Sequence, residues 1–100
     1  MRLIDIAHGL SGDEGSDANV AIITRHPSHY AYLRQHLTAE WMERQLHAPV
    51  TRYEVPHLSA LNFILHGVLE GGASLSLAAD SQGKGLAQQV LMKEIPDVDH

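Results

Sequence analysis

The chain has no cysteine among its 100 residues. It therefore holds no disulfide, no thiolate zinc site and no thiol nucleophile. Basic residues are scarce as well: 7 Lys and Arg stand against 12 Asp and Glu, for a formal net charge of -5. That balance argues against nonspecific nucleic-acid binding, which needs a basic surface, and disfavours a broad CoA or polyphosphate cradle. No apolar run approaches the roughly 18 residues that span a membrane. The start, MRLIDIAHG, carries Asp5 where a signal peptide would have its apolar stretch. Together with the missing cysteine, this gives the expectation of a cytoplasmic protein. Catalytic motifs of known mechanism are missing too, with no HExxH pair, no Walker loop and no nucleophile elbow.

What is present is the composition of an ordinary globular domain, 44% apolar and 19% charged. The length suits one domain with a real core, expected over residues 1–96, with 97–100 as a flexible tail. Residues 2–8 read as a strand with Ile4, Ile6 and His8 on one face. Val20-Ala21-Ile22-Ile23-Thr24 is apolar and β-branched on both faces, as in a central strand that pairs with the first. Pro27 opens a helix in which Tyr30, Leu33, Leu37 and Trp41 recur at helical spacing. Thr38 is placed to cap a second segment, Ala39 to Leu46, so this is one bent helix or two. Residues 50–55 alternate as a strand closed by Pro56. From Ser59 the spacing of Leu61, Ile64, Leu65 and Val68 predicts a helix ending at Gly71-Gly72. SLSLAA at 74–79 reads as a fourth strand, and Asp80 as the cap of a last helix buried through Leu86, Val90 and Leu91. The order β-β-α-β-α-β-α predicts an α+β domain, its mixed or antiparallel sheet of about four strands packed by helices on one face.

The run His8 to Asn19, HGLSGDEGSDAN, joins three glycines and three acids to two serines, a histidine and an asparagine. It is longer than a simple reversal of about 2 to 5 residues, and so reads as a candidate site loop. Asp13, Glu14, Asp17 and Asn19 offer oxygen ligands of the calcium or magnesium kind, at spacings that do not match an EF-hand. No metal is expected there. Gly9, Gly12 and Gly15 would admit a ligand to the backbone, yet no lysine or arginine lies within the loop. The plainer reading is a connector that satisfies its own backbone. Asn62 and His66 lie four apart and so share a face of the predicted helix. With His8 and either Asp13 or Asp17 they would converge at one end of the sheet, where a histidine oriented by a carboxylate makes a general base. His8, Asp13 and His66 are the catalytic candidates. Ser11, Gly12, Asp13, Gly15, Asn19 and Asn62 are the ligand-binding ones. Asp80-Ser81-Gln82-Gly83-Lys84-Gly85 lacks Walker spacing and reads as a helix cap.

Three segments, AHGLSGDEGSDANVAIITR (7–25), LSALNFILHGVLEGGASLSLAAD (58–80) and SQGKGLAQQVL (81–91), carry a resemblance. Together they resemble the small ferredoxin-like domain of the acyclic terpene utilisation (AtuA-like) proteins. Ser11, Gly12, Asp13, Gly15, Ala18 and Asn19 match that family's loop, whereas Leu10 and Glu14 stand where it commonly has Arg and Lys. The resemblance implies a ferredoxin-like two-layer sandwich. It also implies work beside a larger AtuA-type subunit in bacterial breakdown of terpenoid and branched acids through acyl-CoA intermediates. The expected role is a noncatalytic accessory domain that docks on that subunit or self-associates, with no cofactor of its own. The alternatives are part of a shared active site acting on an acyl-CoA or small acid through a His/Asp pair near the loop, and a small-molecule or metal-binding module.

Overall fold

A computed structural model describes residues 1–68 and 85–98 of the chain. A short 3-10 turn, Leu3–Asp5, leads into β1 (Ala7–Glu14), β2 (Asp17–Thr24), α1 (Tyr30–His36), α2 (Ala39–Leu46), β3 (Val50–Val55) and β4 (Ala60–Leu65), and α3 (Leu86–Leu91) follows. The four strands form one antiparallel sheet in the order β1-β2-β4-β3. The helices pack on a single face of it, which bears out the expected α+β two-layer class.

Several boundaries differ from the sequence reading. The first strand does not occupy 2–8: Leu3–Asp5 coils instead, and β1 begins at Ala7. The polar run 8–19 is not a loop. It is an unbroken hairpin, in register from Ala7↔Thr24 to Glu14↔Asp17, turned by Gly15-Ser16 alone. Gly15 has φ +62 and Ser16 does not share the positive sign. Positive φ at only the first central residue is the pattern of a turn whose twist matches paired strands, and glycine meets it without strain. The segment from Ser59 is no helix either; it is β4, with Leu61, Phe63 and Leu65 buried in alternation. Leu61, Ile64, Leu65 and Val68 do fit a 3.6 period. A strand apolar on both faces fits it equally, because periodicity does not separate short apolar runs. Pairing with β2 on one side and β3 on the other decides for the strand. The predicted strand 74–79 and the Asp80 cap lie outside the described residues.

Elsewhere the local signals hold. Pro27 opens a 3-10 turn, Pro27–His29, that feeds α1. The helical region is two helices, since Thr38 leaves helical geometry and its side chain accepts the Trp41 amide at 3.0 Å. Strand β3 occupies 50–55 as read.

Strand alternation sorts the sheet into two faces. The helix-covered face carries Ala18, Val20, Ile22, Leu61, Phe63 and Leu65. They form one core with Leu33, Leu37, Met42 and Leu46 of α1 and α2, and with Leu86, Ala87, Val90 and Leu91 of α3. On β1 the covered position opposite Ile22 is Gly9. A methyl group there would sit 3.2 Å from Ile22 Cδ1 and 3.3 Å from Ala87 Cβ. Its absence lets α3 lie close against the strand.

Candidate functional site

The other face of the sheet has no helix on it among the described residues. Its positions follow from register. His8, Leu10 and Gly12 come from β1; Asp17, Asn19, Ala21 and Ile23 from β2; Ala60, Asn62 and Ile64 from β4; Thr51, Tyr53 and Val55 from β3. Leu10 and Tyr53 are 67% and 53% exposed. Ile23, Val55 and Ile64 are half-buried and take no part in the core.

At one end of this face a chain of polar contacts crosses three strands. His66, just past β4, continues the alternation of Asn62 and Ile64, and its amide is fixed to the Pro49 carbonyl at 2.9 Å. Its Nε2 lies 2.8 Å from the Thr51 hydroxyl, and its Nδ1 lies 3.6 Å from Asp17 Oδ2. The other carboxylate oxygen of Asp17 accepts the Gly67 amide at 2.8 Å. Gly67 has φ +73, so the turn leaving β4 and the Asp17 side chain hold each other in place. Asn62, diagonal to Thr51, accepts a hydrogen bond from Asn19 Nδ2 at 3.4 Å. Gly12 faces Asn19, and a methyl group at Gly12 would press to 3.2 Å from Asn19 Oδ1.

The predicted site residues therefore divide. His66, Asn62, Asn19 and Gly12 share this end of the open face, and the carboxylate that meets His66 is Asp17. Asp13 pairs with Ala18 and sits on the helix side of the sheet. His8 is on the open face but pairs with Ile23, which in turn faces Ala60. From Ala60 to His66 is six residue steps, roughly 20 Å of strand. His8, Asp13 and His66 thus do not converge. Ser11 points to the covered side, where its hydroxyl accepts the Ala87 amide at 3.3 Å and secures the first turn of α3. Gly15 is the hairpin turn. Among the described residues no three His, Asp or Glu side chains gather as a cation cage.

Two features lay outside the sequence reading. Thr51 carries no local signal beyond that of a strand residue; what singles it out is the diagonal relation to position 66, which exists once β3 and β4 pair. The second is a cleft of about 600 Å3 between α1 and the C-terminal segment, lined in part by His29, Tyr32, His36 and Asp97. The Tyr32 hydroxyl spans it and donates to the Pro96 carbonyl.

Residues 1–96 match the family model described as the AtuA ferredoxin-like domain. No curated protein and no solved structure matches the chain. No helix among the described residues is long and apolar enough to cross a membrane.

Proposed function

This chain belongs to the AtuA ferredoxin-like domain family, and on that footing we propose that it is the small accessory partner of a larger AtuA-type protein. The setting is cytoplasmic bacterial catabolism of terpenoid or branched acids carried as acyl-CoA. The observation that carries this reading is the open sheet face. In a free-standing antiparallel domain the solvent side of the sheet alternates to polar residues. Here, beside His8 and the polar end that holds Asp17, Asn19, Thr51, Asn62 and His66, it presents Leu10, Ala21, Ile23, Tyr53, Val55 and Ile64, an apolar field of the kind that marks a contact surface. Leu10 and Tyr53 are its exposed anchors, and an aromatic flanked by aliphatic residues is a common centre of binding energy.

The test is co-expression with the larger AtuA-type protein of the same genome, followed by size-exclusion chromatography with light scattering. A stoichiometric complex is expected. Leu10→Asp and Tyr53→Lys abolish it, and Glu40→Lys, on the exposed side of α2, leaves it intact. A chain that elutes alone, or a complex indifferent to Leu10→Asp and Tyr53→Lys, overturns the reading. The same run reports whether the chain also self-associates.

A further inference from the structure

The open face carries more chemistry than a contact surface needs. Thr51 pairs directly with Ile64, so its diagonal neighbours on that face are Asn62 and His66, about 7–8 Å away between Cα atoms. His66 closes on the hydroxyl at 2.8 Å. The carboxylate of Asp17 stands 3.6 Å from the far ring nitrogen and is pinned by the Gly67 amide at 2.8 Å. An anion beside Nδ1 favours the tautomer protonated there, which leaves the Nε2 lone pair directed at the hydroxyl. On the other side of Thr51, the bond from Asn19 engages the Asn62 amide oxygen as acceptor and leaves the Asn62 NH2 group to donate elsewhere. Ile64 and Tyr53 flank the hydroxyl on the same face, a surface suited to a hydrocarbon chain.

We infer that Thr51, His66 and Asp17 form an acyl-transfer centre for activated acyl esters or thioesters. Thr51 Oγ1 is the nucleophile, His66 the general base, Asp17 a positioning residue and Asn62 the donor to the oxyanion. In the first half-reaction Oγ1 bonds to the acyl carbon as its proton passes to His66 Nε2. The tetrahedral oxyanion is held by Asn62 Nδ2. On its collapse the carbon–oxygen or carbon–sulfur bond to the leaving group breaks; the leaving group either takes the proton from the imidazolium or departs as its anion, in which case the imidazolium gives its proton to solvent and His66 is neutral again for the second half-reaction. In the second, water gives a proton to His66, its oxygen bonds to the acyl carbon, and Thr51 regains its hydroxyl proton as the free acid departs. The centre lies wholly within this chain, so it stands or falls independently of any docking partner.

The experiment treats the free, full-length chain with p-nitrophenyl acetate and follows acetylation by intact mass and peptide mapping. One acetyl group on Thr51, formed as p-nitrophenolate is released, is the expected result. His66→Gln slows adduct formation about 100-fold or more; Thr51→Val removes the adduct and Thr51→Ser restores it. Asp17→Asn also slows acylation, yet adds nothing to His66→Gln, because residues acting as one unit are not additive. Thermal melts establish which variants are folded, and the Thr51→Val and Thr51→Ser pair, which leaves the Asp17–Gly67 turn intact, decides if Asp17→Asn does not fold. A wild-type chain that neither carries the label at Thr51 nor releases p-nitrophenolate faster than Thr51→Val, or a label that forms equally fast in His66→Gln, overturns the proposal. A fully additive loss in the double variant removes Asp17 from it.

Discussion

Asn62 and His66 show why single positions were partly legible. Residues four apart share a face at a period of 3.6 and also at a period of 2. Their juxtaposition therefore survived the change of element from predicted helix to observed strand. Asp13 and Asp17 are likewise four apart, yet pairing across the hairpin turn puts one on each face of the sheet, which composition alone does not reveal. The residue between Asn62 and Ile64 tells the other half. Phe63 is fully buried beneath the helices, although the helical stripe read from the sequence passed it over. Its truncation to alanine is expected to cost about 3–5 kcal/mol, the transfer term plus the cavity left behind. Urea unfolding followed by circular dichroism measures this, and a loss below about 1 kcal/mol would place Phe63 outside the core.

Elements were read well where a terminal signal was local and poorly where a partner strand decided. Thr38 and Pro27 announce helix starts through their own chemistry, and both do so here. The hairpin is not legible from local pattern because the seven polar or glycine residues from Ser11 to Asp17 give no hydrophobic alternation, and pairing to β2 supplies the order instead. The corner between α1 and α2 depends on Arg52. Its guanidinium donates to the carbonyls of Arg34 and Leu37 at 2.7 and 2.9 Å and meets Glu54 at 3.2 Å. These carbonyls are among those a helix end leaves unsatisfied. Arg52→Met keeps the aliphatic stem and removes the donors. It is expected to destabilise the domain by about 1.5–3 kcal/mol, the range for hydrogen bonds from a charged group. A midpoint in urea unchanged from wild type would show that solvent satisfies the corner equally well.

The molecule as a whole is closed by a clasp between its two ends. The Ile95 amide donates to the Met1 carbonyl at 2.8 Å, and Arg2 bridges to Glu94. The Met1 ammonium lies 2.8 Å from Asp97 and 3.5 Å from Glu94. The hydrogen bond that the ammonium donates to Asp97, with the charges of Asp97 and Glu94, holds the amino group above its ordinary pKa. The same bond holds the Asp97 carboxyl below its own. A raised amino pKa gives a contribution fully present below the unfolded value of about 8 and lost as pH climbs through the folded one. A lowered carboxyl pKa gives one present above about 4 and lost as pH falls through the folded value. Both groups are exposed, so the effect is small and screened by salt. The melting temperature is expected to decline slightly above about pH 8, with the decline reduced in Asp97→Asn. An identical alkaline slope in that variant would show the clasp to be electrostatically idle.

Composition and local chemistry were enough to state a single α+β domain, a sheet packed by helices on one side, and helix starts at Pro27 and Thr38, whereas the family followed from the resemblance of whole segments and the match over residues 1–96. The former depend on contacts within a few residues, or on totals. Register is different. Which carboxylate meets His66, why Ser11 serves a helix and not a ligand, and why His8 stands roughly 20 Å of strand away all follow from strands brought together across long stretches of chain. Thr51 and His66 are 15 residues apart in sequence and 2.8 Å apart in space. That proximity is a property of the β3–β4 pairing, and neither residue carries it alone.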